Sequence, residues 1–228
     1  MRLRNIPGAD EHLEKSDFVV KEPLRFKGQW SETVFGNSHP LYIEIGCGKG
    51  AFLMALAERH PENNYIGIEK MSSVLLRAVE KAEDESRGPL KNIRFLRFDA
   101  EEITSLFDIG EASGIYLNFS DPWPKDRHRK RRLTSKEYLS RYEKILRKDA
   151  MVEFKTDNTA LFDFSLEEAK EAGWEVLFET RDLHKSEQAR DNIMTEYEDR
   201  FATLGNKICK LIMKPGEFIV NSQDTILN

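Results

Sequence analysis

The residues best placed to do chemistry in this chain are a series of acids, Glu44, Glu69, Asp99, Asp121 and Asp157, and one dense basic run. Each acid follows or closes a short apolar stretch that reads as a strand, a place from which a carboxylate can accept hydrogen bonds or balance a positive charge. Beside one of them lies Phe119-Ser120-Asp121-Pro122-Trp123-Pro124, followed by the run Lys125 to Arg132, in which six of eight residues are Lys or Arg. The chain carries a formal charge of -5, so a positive block this compact stands out against an otherwise acidic protein. Such a patch holds something anionic in one place and leaves the rest of the surface repelling it. A solvated charge run is the plainer alternative. Attachment to a rigid loop argues for a built feature, because two prolines bracketing Trp123 fix the backbone and remove donors. Trp123 itself suits either a base-stacking platform or an anchor for the loop.

Glu44-Ile45-Gly46-Cys47-Gly48-Lys49-Gly50 leads from the first expected strand into the first helix. Glycines there permit a tight turn and a close approach of ligand to backbone. Gly46, Gly48 and Ala51 also satisfy the G-x-G-x-x-G/A dinucleotide pattern, so a nicotinamide dinucleotide is one reading. A pyrophosphate needs free helix N-terminal amides and is repelled by an acid beside them, and Glu44 lies two residues before the first glycine. An acid at that place suits a cofactor bearing an ammonium or sulfonium charge, as S-adenosylmethionine does. Glu69, closing the second strand, can accept from both hydroxyls of a ribose. Asp99 with Ala100, closing the third, can accept from an adenine amino group. Any one of these acids alone could be a solvated strand end or a helix cap. Their joint placement favours the S-adenosylmethionine type of site over the dinucleotide.

These residues need a scaffold, and the hydrophobic pattern supplies one. Expected strands cover Leu41–Ile45, Asn64–Ile68, Ile93–Phe98, Ser113–Phe119, Ala150–Lys155, Trp174–Phe178 and Lys207–Met213. Helical spacing covers Ala51–Arg59, Val74–Ala82, Ser135–Leu146 and Leu161–Ala172, with Pro61 and Gly173 as stops. Alternation of this kind implies an α/β fold, a doubly wound and mostly parallel sheet, with ligands bound outside the carboxyl ends of the strands. The segment Thr180–Asn192 reads as irregular and too polar for the core. Residues 1–37 read as an arm with some local order, 38–215 as the main domain, and 216–228 as a poorly ordered tail.

Composition narrows the class. Apolar residues at 39% and charged residues at 33% describe a soluble globular protein. No run approaches the roughly 18 apolar residues of a membrane span, and the N-terminus lacks the apolar core of a secretory signal. Cys47 and Cys209 are the two cysteines, with no metal-ligand spacing, so neither a disulfide framework nor a metal site is expected. A reducing cytoplasm fits.

The combined motifs resemble the bacterial tRNA (guanine-N7)-methyltransferases. That family pairs an acidic F-x-D-P-W-x-K loop with R-H-x-K-R-R, and this chain has Phe119–Lys125 followed by Arg127, His128, Arg129, Lys130, Arg131 and Arg132. Glu44, Glu69 and Asp99 with Ala100 match the family's cofactor acids. Phe154-Lys155-Thr156-Asp157-Asn158 resembles its K-T-D motif, and Thr195-Glu196-Tyr197-Glu198 its late T-x-Y/F-E motif. The likeness spans about residues 40 to 213. It implies a Rossmann-like, seven-stranded methyltransferase fold with an antiparallel last strand. It further implies methyl transfer from S-adenosylmethionine to N7 of guanine 46 in the tRNA variable loop. Asp121 would be the catalytic residue, as counter-charge and positioning group, and a cofactor contact, with Glu44, Gly46, Gly48, Gly50, Glu69, Asp99 and Ala100 as further cofactor contacts. Lys125, Asp157 and Thr195 to Glu198 would hold substrate, and residues 127–132 would clamp RNA phosphates. No metal is implied, and the chain would act as a monomer or homodimer. The competing readings are a non-catalytic module that binds S-adenosylmethionine or RNA, and a methyltransferase for another RNA or a small molecule. A dinucleotide-linked oxidoreductase is more distant.

Overall fold

A computed structural model describes residues 6–84, 86, 88 and 90–216. Among them seven strands form one sheet: β1 (Leu41–Ile45), β2 (Asn64–Glu69), β3 (Ile93–Arg97), β4 (Ala112–Asn118), β5 (Leu146–Thr156), β6 (Trp174–Thr180) and β7 (Cys209–Pro215). The helices around it are α1 (Ala9–Lys15), α2 (Ala51–Arg59), α3 (Ser72–Ala82), α4 (Ile103–Leu106), α5 (Lys136–Ile145), α6 (Thr159–Glu171) and α7 (Glu196–Thr203). The strand order is β3-β2-β1-β4-β5-β7-β6. Pairing is parallel from β3 through β5, and β7 runs antiparallel to both β5 and β6. This is the doubly wound, mostly parallel sheet that the alternating pattern implied, with the antiparallel last strand that the family resemblance implied. The chain order reverses between β1 and β4, and a crevice opens at that switch point, where sheets of this type bind ligands.

Strand alternation sorts the side chains between two cores. Ile43, Ile66, Leu117 and Phe154 face α5 and α6, while Tyr65 and Phe95 face α2 and α3. The α2 helix forms because Phe52, Leu53, Leu56 and Ala57 recur at helical spacing and are buried together. At α6, the Asn158 side chain accepts from the Leu161 N–H at 2.8 Å, which starts the helix immediately after Asp157.

The first residues are woven into the same body. After α1, Val19 bridges to Phe95, and backbone bonds Phe95 N–H to Phe18 O and Val20 N–H to Phe95 O cover the free edge of β3. Trp30 is completely buried. Its indole N–H donates to Leu106 O of α4 at 2.8 Å, and its ring packs on Phe26 and Phe107.

Four details depart from the sequence pattern. The fifth strand begins at Leu146, with Asp149 in the left-handed region at φ 63° and a register shift before Met151. Arg147-Lys148-Asp149 is polar and exposed, so it reads as a turn, and the β4–β5 register passes over it as a bulge inside the strand. The last strand starts two residues later than expected, at Cys209. The segment from Thr180 contains Leu183, which is fully buried and donates its N–H to Ile208 O at 2.7 Å; its polarity concealed this core contact. Finally, α7 was not expected from the pattern. Its start is a T-x-x-E capping signature: the Thr195 hydroxyl accepts from the Glu198 N–H at 2.9 Å. The expected tail from 217 onward lies outside the described residues.

Because Trp30 fills the core beneath the sheet, Trp30→Ala should destabilise the protein by about 3–5 kcal/mol. A urea titration reads this as a lowered midpoint; a midpoint unchanged from the parent protein contradicts the assignment of residues 6–37 to the folded body.

Candidate active site at the carboxyl ends of the strands

Glu44 lies on β1 between Gly67 of β2 and Tyr116 of β4, at the switch point. Its side chain is 2% exposed. Oε1 accepts from the Asn118 amide at 2.8 Å, while Oε2 is buried without a hydrogen-bond partner in the protein. Burial pushes its pKa up to about 8, against the pull of the Asn118 hydrogen bond and the Lys155 charge, with Glu69 adding to the rise. A carboxyl in this position stays neutral until a cation is placed beside it.

That cation has room. Glu44, Gly46, Gly48, Gly50, Phe119 and Tyr197 are among the residues around a cavity of about 610 Å³. The three glycines all have positive φ. At Gly50 a Cβ would also stand 2.9 Å from the Ala78 Cβ, so no other residue fits this turn without displacement. Glu69 braces the loop by accepting from the Gly48 N–H at 3.3 Å and the Met71 N–H at 2.9 Å. Burial raises its pKa, backbone hydrogen bonds oppose the rise, and the nearby charge of Asp121 adds to it. Asp99 is engaged by Lys70 and by the Glu101 N–H at 3.1 Å; burial opposes its charge, but these partners hold its pKa below the usual value. Ala100 is buried behind it. Glu69, Asp99, Ala100, Asp121, Lys125, Asp157 and Glu198 lie outside the lining of the cavity, and Asp121 and Lys125 are exposed.

The Asp-Pro-Trp loop is held under strain. Phe119 and Trp123, on either side of Asp121-Pro122, occupy the left-handed region at φ 53° and 42°. Bulky residues adopt such angles where the surroundings impose them, and such places cluster at functional sites. The basic run supplies part of the constraint. Arg132 donates to Pro122 O at 3.0 Å and Trp123 O at 3.1 Å, with its guanidinium 4.2 Å from the Phe164 ring centre. Arg129 pairs with buried Glu168, which also accepts from the Lys136 N–H at 2.6 Å. Trp123 is half-buried between Arg131 and His128, with ring-centre distances of 5.1 Å and 5.7 Å. The six cationic or imidazole side chains from 127 to 132 thus divide. Arg132 anchors the loop and Arg129, itself exposed, is held by Glu168 of α6, whereas Arg127, Lys130 and Arg131 are exposed without a buried acidic partner, Lys130 pairing at the surface with Glu137 at 3.3 Å.

The α7 helix closes the third side. Glu196 pairs with Lys49 of the glycine loop at 3.3 Å and with Lys81. The Tyr197 hydroxyl donates to Asp157 Oδ2 at 3.3 Å, which also accepts from the Asn206 amide at 3.2 Å. The Tyr197 ring stacks on Phe201 at 4.1 Å and meets Phe119 at 4.8 Å. Glu198 has no exposed surface. It accepts from Lys155 Nζ at 2.7 Å and from the Asn192 amide at 2.6 Å, and lies 2.9 Å from the His184 imidazole. Burial works against its charge, but Lys155 foremost, with His184 and Asn192, holds its pKa below the usual range.

Asn118 and Phe201 enter the site without a sequence signal, and Phe119 and Lys155, which stand in the motifs, enter it without a role assigned from the sequence. For Lys155 the signal was available: a charged residue inside an apolar strand needs a buried partner. Among the described residues, no group of three or more His, Cys, Asp or Glu side chains is gathered to hold a metal ion, and no helix is long and apolar enough to cross a membrane.

Known proteins resemble this chain in sequence and in fold. A family model described as a putative methyltransferase covers residues 38–211. A protein of Lachnoclostridium phytofermentans named tRNA (guanine-N(7)-)-methyltransferase is 59% identical, covering 93% of this chain and 97% of its own length. A protein of the same name from Bacillus subtilis is 46% identical over 91% of this chain and 96% of its own. Among solved structures, an antibiotic-related methyltransferase aligns with a TM-score of 0.64 at 21% identity, covering 89% of this chain and 98% of that one. A 16S rRNA methyltransferase aligns at 0.62 and 15%, covering 82% and 92%. At these identities the structural matches speak to the fold.

The buried acid gives a pH signature. Glu44 titrates near 4.5 when unfolded and near 8 when folded, so the folded state binds the extra proton between those values. Its contribution to stability is complete below about pH 4.5 and is lost as pH rises through about 8, by up to ~1.4 kcal/mol per pH unit. Chemical denaturation across pH 5–9, without added ligand, should show the Glu44→Gln variant losing less stability with pH than the parent. Parallel curves for the two proteins contradict the burial argument.

Proposed function

The chain belongs to the tRNA (guanine-N7)-methyltransferase family, and from that premise we propose that it methylates N7 of guanine 46 in the variable loop of tRNA. The observation that carries the chemistry is Glu44 Oε2, a buried carboxylate oxygen that lacks a partner and borders a cavity beside the glycine turn. S-adenosylmethionine supplies an electrophilic methyl group on a positively charged sulfur. Glu44 faces its cationic portion, the Gly46–Gly50 turn admits it close to the backbone, and Glu69 and Asp99 with Ala100 serve its ribose and adenine ends.

N7 of guanine carries a free lone pair and no proton, so the site has no proton to remove before transfer. What remains is to orient the base and to face the positive charge that develops on the purine. Asp121, presented on the strained loop, does the second, as counter-charge and positioning group. Asp157 and the Thr195–Tyr197 edge of α7 hold the base, with Glu198 acting from beneath by fixing that edge. A guanine engaged in tRNA tertiary structure must be turned out to reach this depth. Lys125 and the exposed cations Arg127, Lys130 and Arg131, with His128, hold phosphates around the variable loop. Such contacts give affinity without reading sequence, so tRNA shape selects the guanine. A soluble enzyme acting on tRNA works in the cytoplasm.

The test is to incubate the protein with methyl-labelled S-adenosylmethionine and unmodified tRNA transcripts, then map the label by nuclease digestion and mass spectrometry. The proposal expects 7-methylguanine at position 46 and no label in a transcript with adenine there. Label elsewhere, or none, overturns it. Asp121→Ala should lower turnover by about 100-fold or more while leaving tRNA affinity within about threefold; undiminished turnover removes Asp121 from its role. Neutralising Arg127, Lys130 and Arg131 together should raise the KM for tRNA and flatten its salt dependence, with donor affinity preserved. An unchanged salt slope in tRNA binding contradicts the clamp.

A further inference from the structure

Lys155 belongs to the K-T-D motif, yet the mechanism above gives it no task. It projects from the end of β5, 4% exposed. Its ammonium makes three hydrogen bonds into one segment: to Asn192 Oδ1 at 3.1 Å, Ile193 O at 2.8 Å and Glu198 Oε2 at 2.7 Å. It also lies 4.9 Å from the ring centre of Phe52, a residue of the cavity lining. Isolated burial of an ammonium is unfavourable, and three acceptors with one carboxylate among them compensate for it. The same charge reaches Glu44, whose partner Asn118 lies opposite Lys155 in the β4–β5 register.

We propose that Lys155 is a positioning residue for methyl transfer, pinning the 192–198 segment that carries Tyr197 and at the same time setting a positive charge on the Glu44 side of the cavity. One side chain thereby links the wall that holds the target base to the acid that receives the donor. The proposal rests on the reading of the cavity as a methyl-donor site. The groups around Glu44 are Asn118 and Tyr116 from β4, Lys155 from β5, Glu69 from β2 and Cys47 from the glycine loop. Of these, Lys155 is the cation. Removing its charge makes Glu44 harder to ionise, so the donor's cation binds less well, and most so at low pH.

A role confined to wall support predicts something different. Loss of that support would weaken binding to the same degree at every pH. Removing Lys155 alone leaves the buried Glu198 charge without its lysine partner, and Oε2 without the hydrogen bond it accepts, which endangers the fold. The pair Lys155→Met and Glu198→Gln removes both charges with little change in shape, and the introduced amide carbonyl can still accept from Asn192 and His184. Lys155→Arg keeps the charge, and a cavity of about 370 Å³ that Lys155 lines between α2 and residues 188–193 gives the guanidinium space.

Calorimetric titration with S-adenosylhomocysteine, which retains the donor's ammonium group, at pH 6.5 and pH 9 reads the effect. The double variant should bind about tenfold more weakly than the parent at pH 6.5, and within about threefold of it at pH 9. Lys155→Arg should restore the parent's pH profile. An equal loss at both pH values, or no loss, overturns the proposal, and thermal melts of each variant confirm that folded protein is compared. A parent protein that fails to bind S-adenosylhomocysteine overturns the donor-site reading itself, and this proposal with it.

Discussion

A carboxyl group buried at the switch point of the sheet, with one oxygen lacking a protein partner, is the constraint around which the site is built. Water would solvate Glu44 well, and the fold removes that water. Strand alternation aims Glu44 to the side opposite Ile43 and Ile45, under the helix that follows the glycine turn. The surroundings then supply one hydrogen bond from Asn118 and one distant cation in Lys155, too little to keep the carboxyl ionised at neutral pH. A site arranged this way is complete when a cationic ligand arrives, and it gains little from a neutral or anionic one. This electrostatic preference separates a sulfonium donor from a dinucleotide more firmly than the glycine pattern does, since both ligands tolerate the same turn.

The remaining parts hold other elements at a fixed distance from that acid. The Lys155–Glu198 pair draws α7 onto the end of β5, and the Glu196 contacts with Lys49 and Lys81 draw it towards the glycine turn and α3. With α7 so placed, Tyr197 meets Phe119 and Asp157. On the opposite side, Arg129 and Arg132 spend their charge on Glu168 and on the carbonyls of the strained loop. The basic run therefore does two kinds of work. Arg132 fixes the loop that presents Asp121, Arg129 ties the run to α6, and the remaining members are left for an anionic partner.

Much of this was legible in the sequence, and what was hidden has physical reasons. Apolar runs at period two, alternating with helical spacing, give the sheet and its main helices because burial enforces those periods. The acids at strand ends mark the binding edge for the same reason. The α7 helix escaped notice because its composition is polar, although Thr195-x-x-Glu198 is a helix-start signature. Leu183 is a lone apolar residue in a polar segment, and only tertiary contact with Ile208 reveals its burial. The division of labour within residues 127–132 is likewise beyond the reach of spacing. Arg129 and Arg131 are identical in sequence terms, and they differ because one finds Glu168 and the other lies over Trp123.

The central claim is that Glu44 changes its protonation when the donor binds, and proton release measures it directly. Calorimetric titration of the protein with S-adenosylmethionine at pH 7, in buffers of different ionisation enthalpy, reports protons exchanged on binding. Release of about one proton at pH 7, where the donor's own amine is still mostly protonated, follows from a buried carboxyl that ionises beneath a cation. Binding with no proton release at pH 7 would contradict the account.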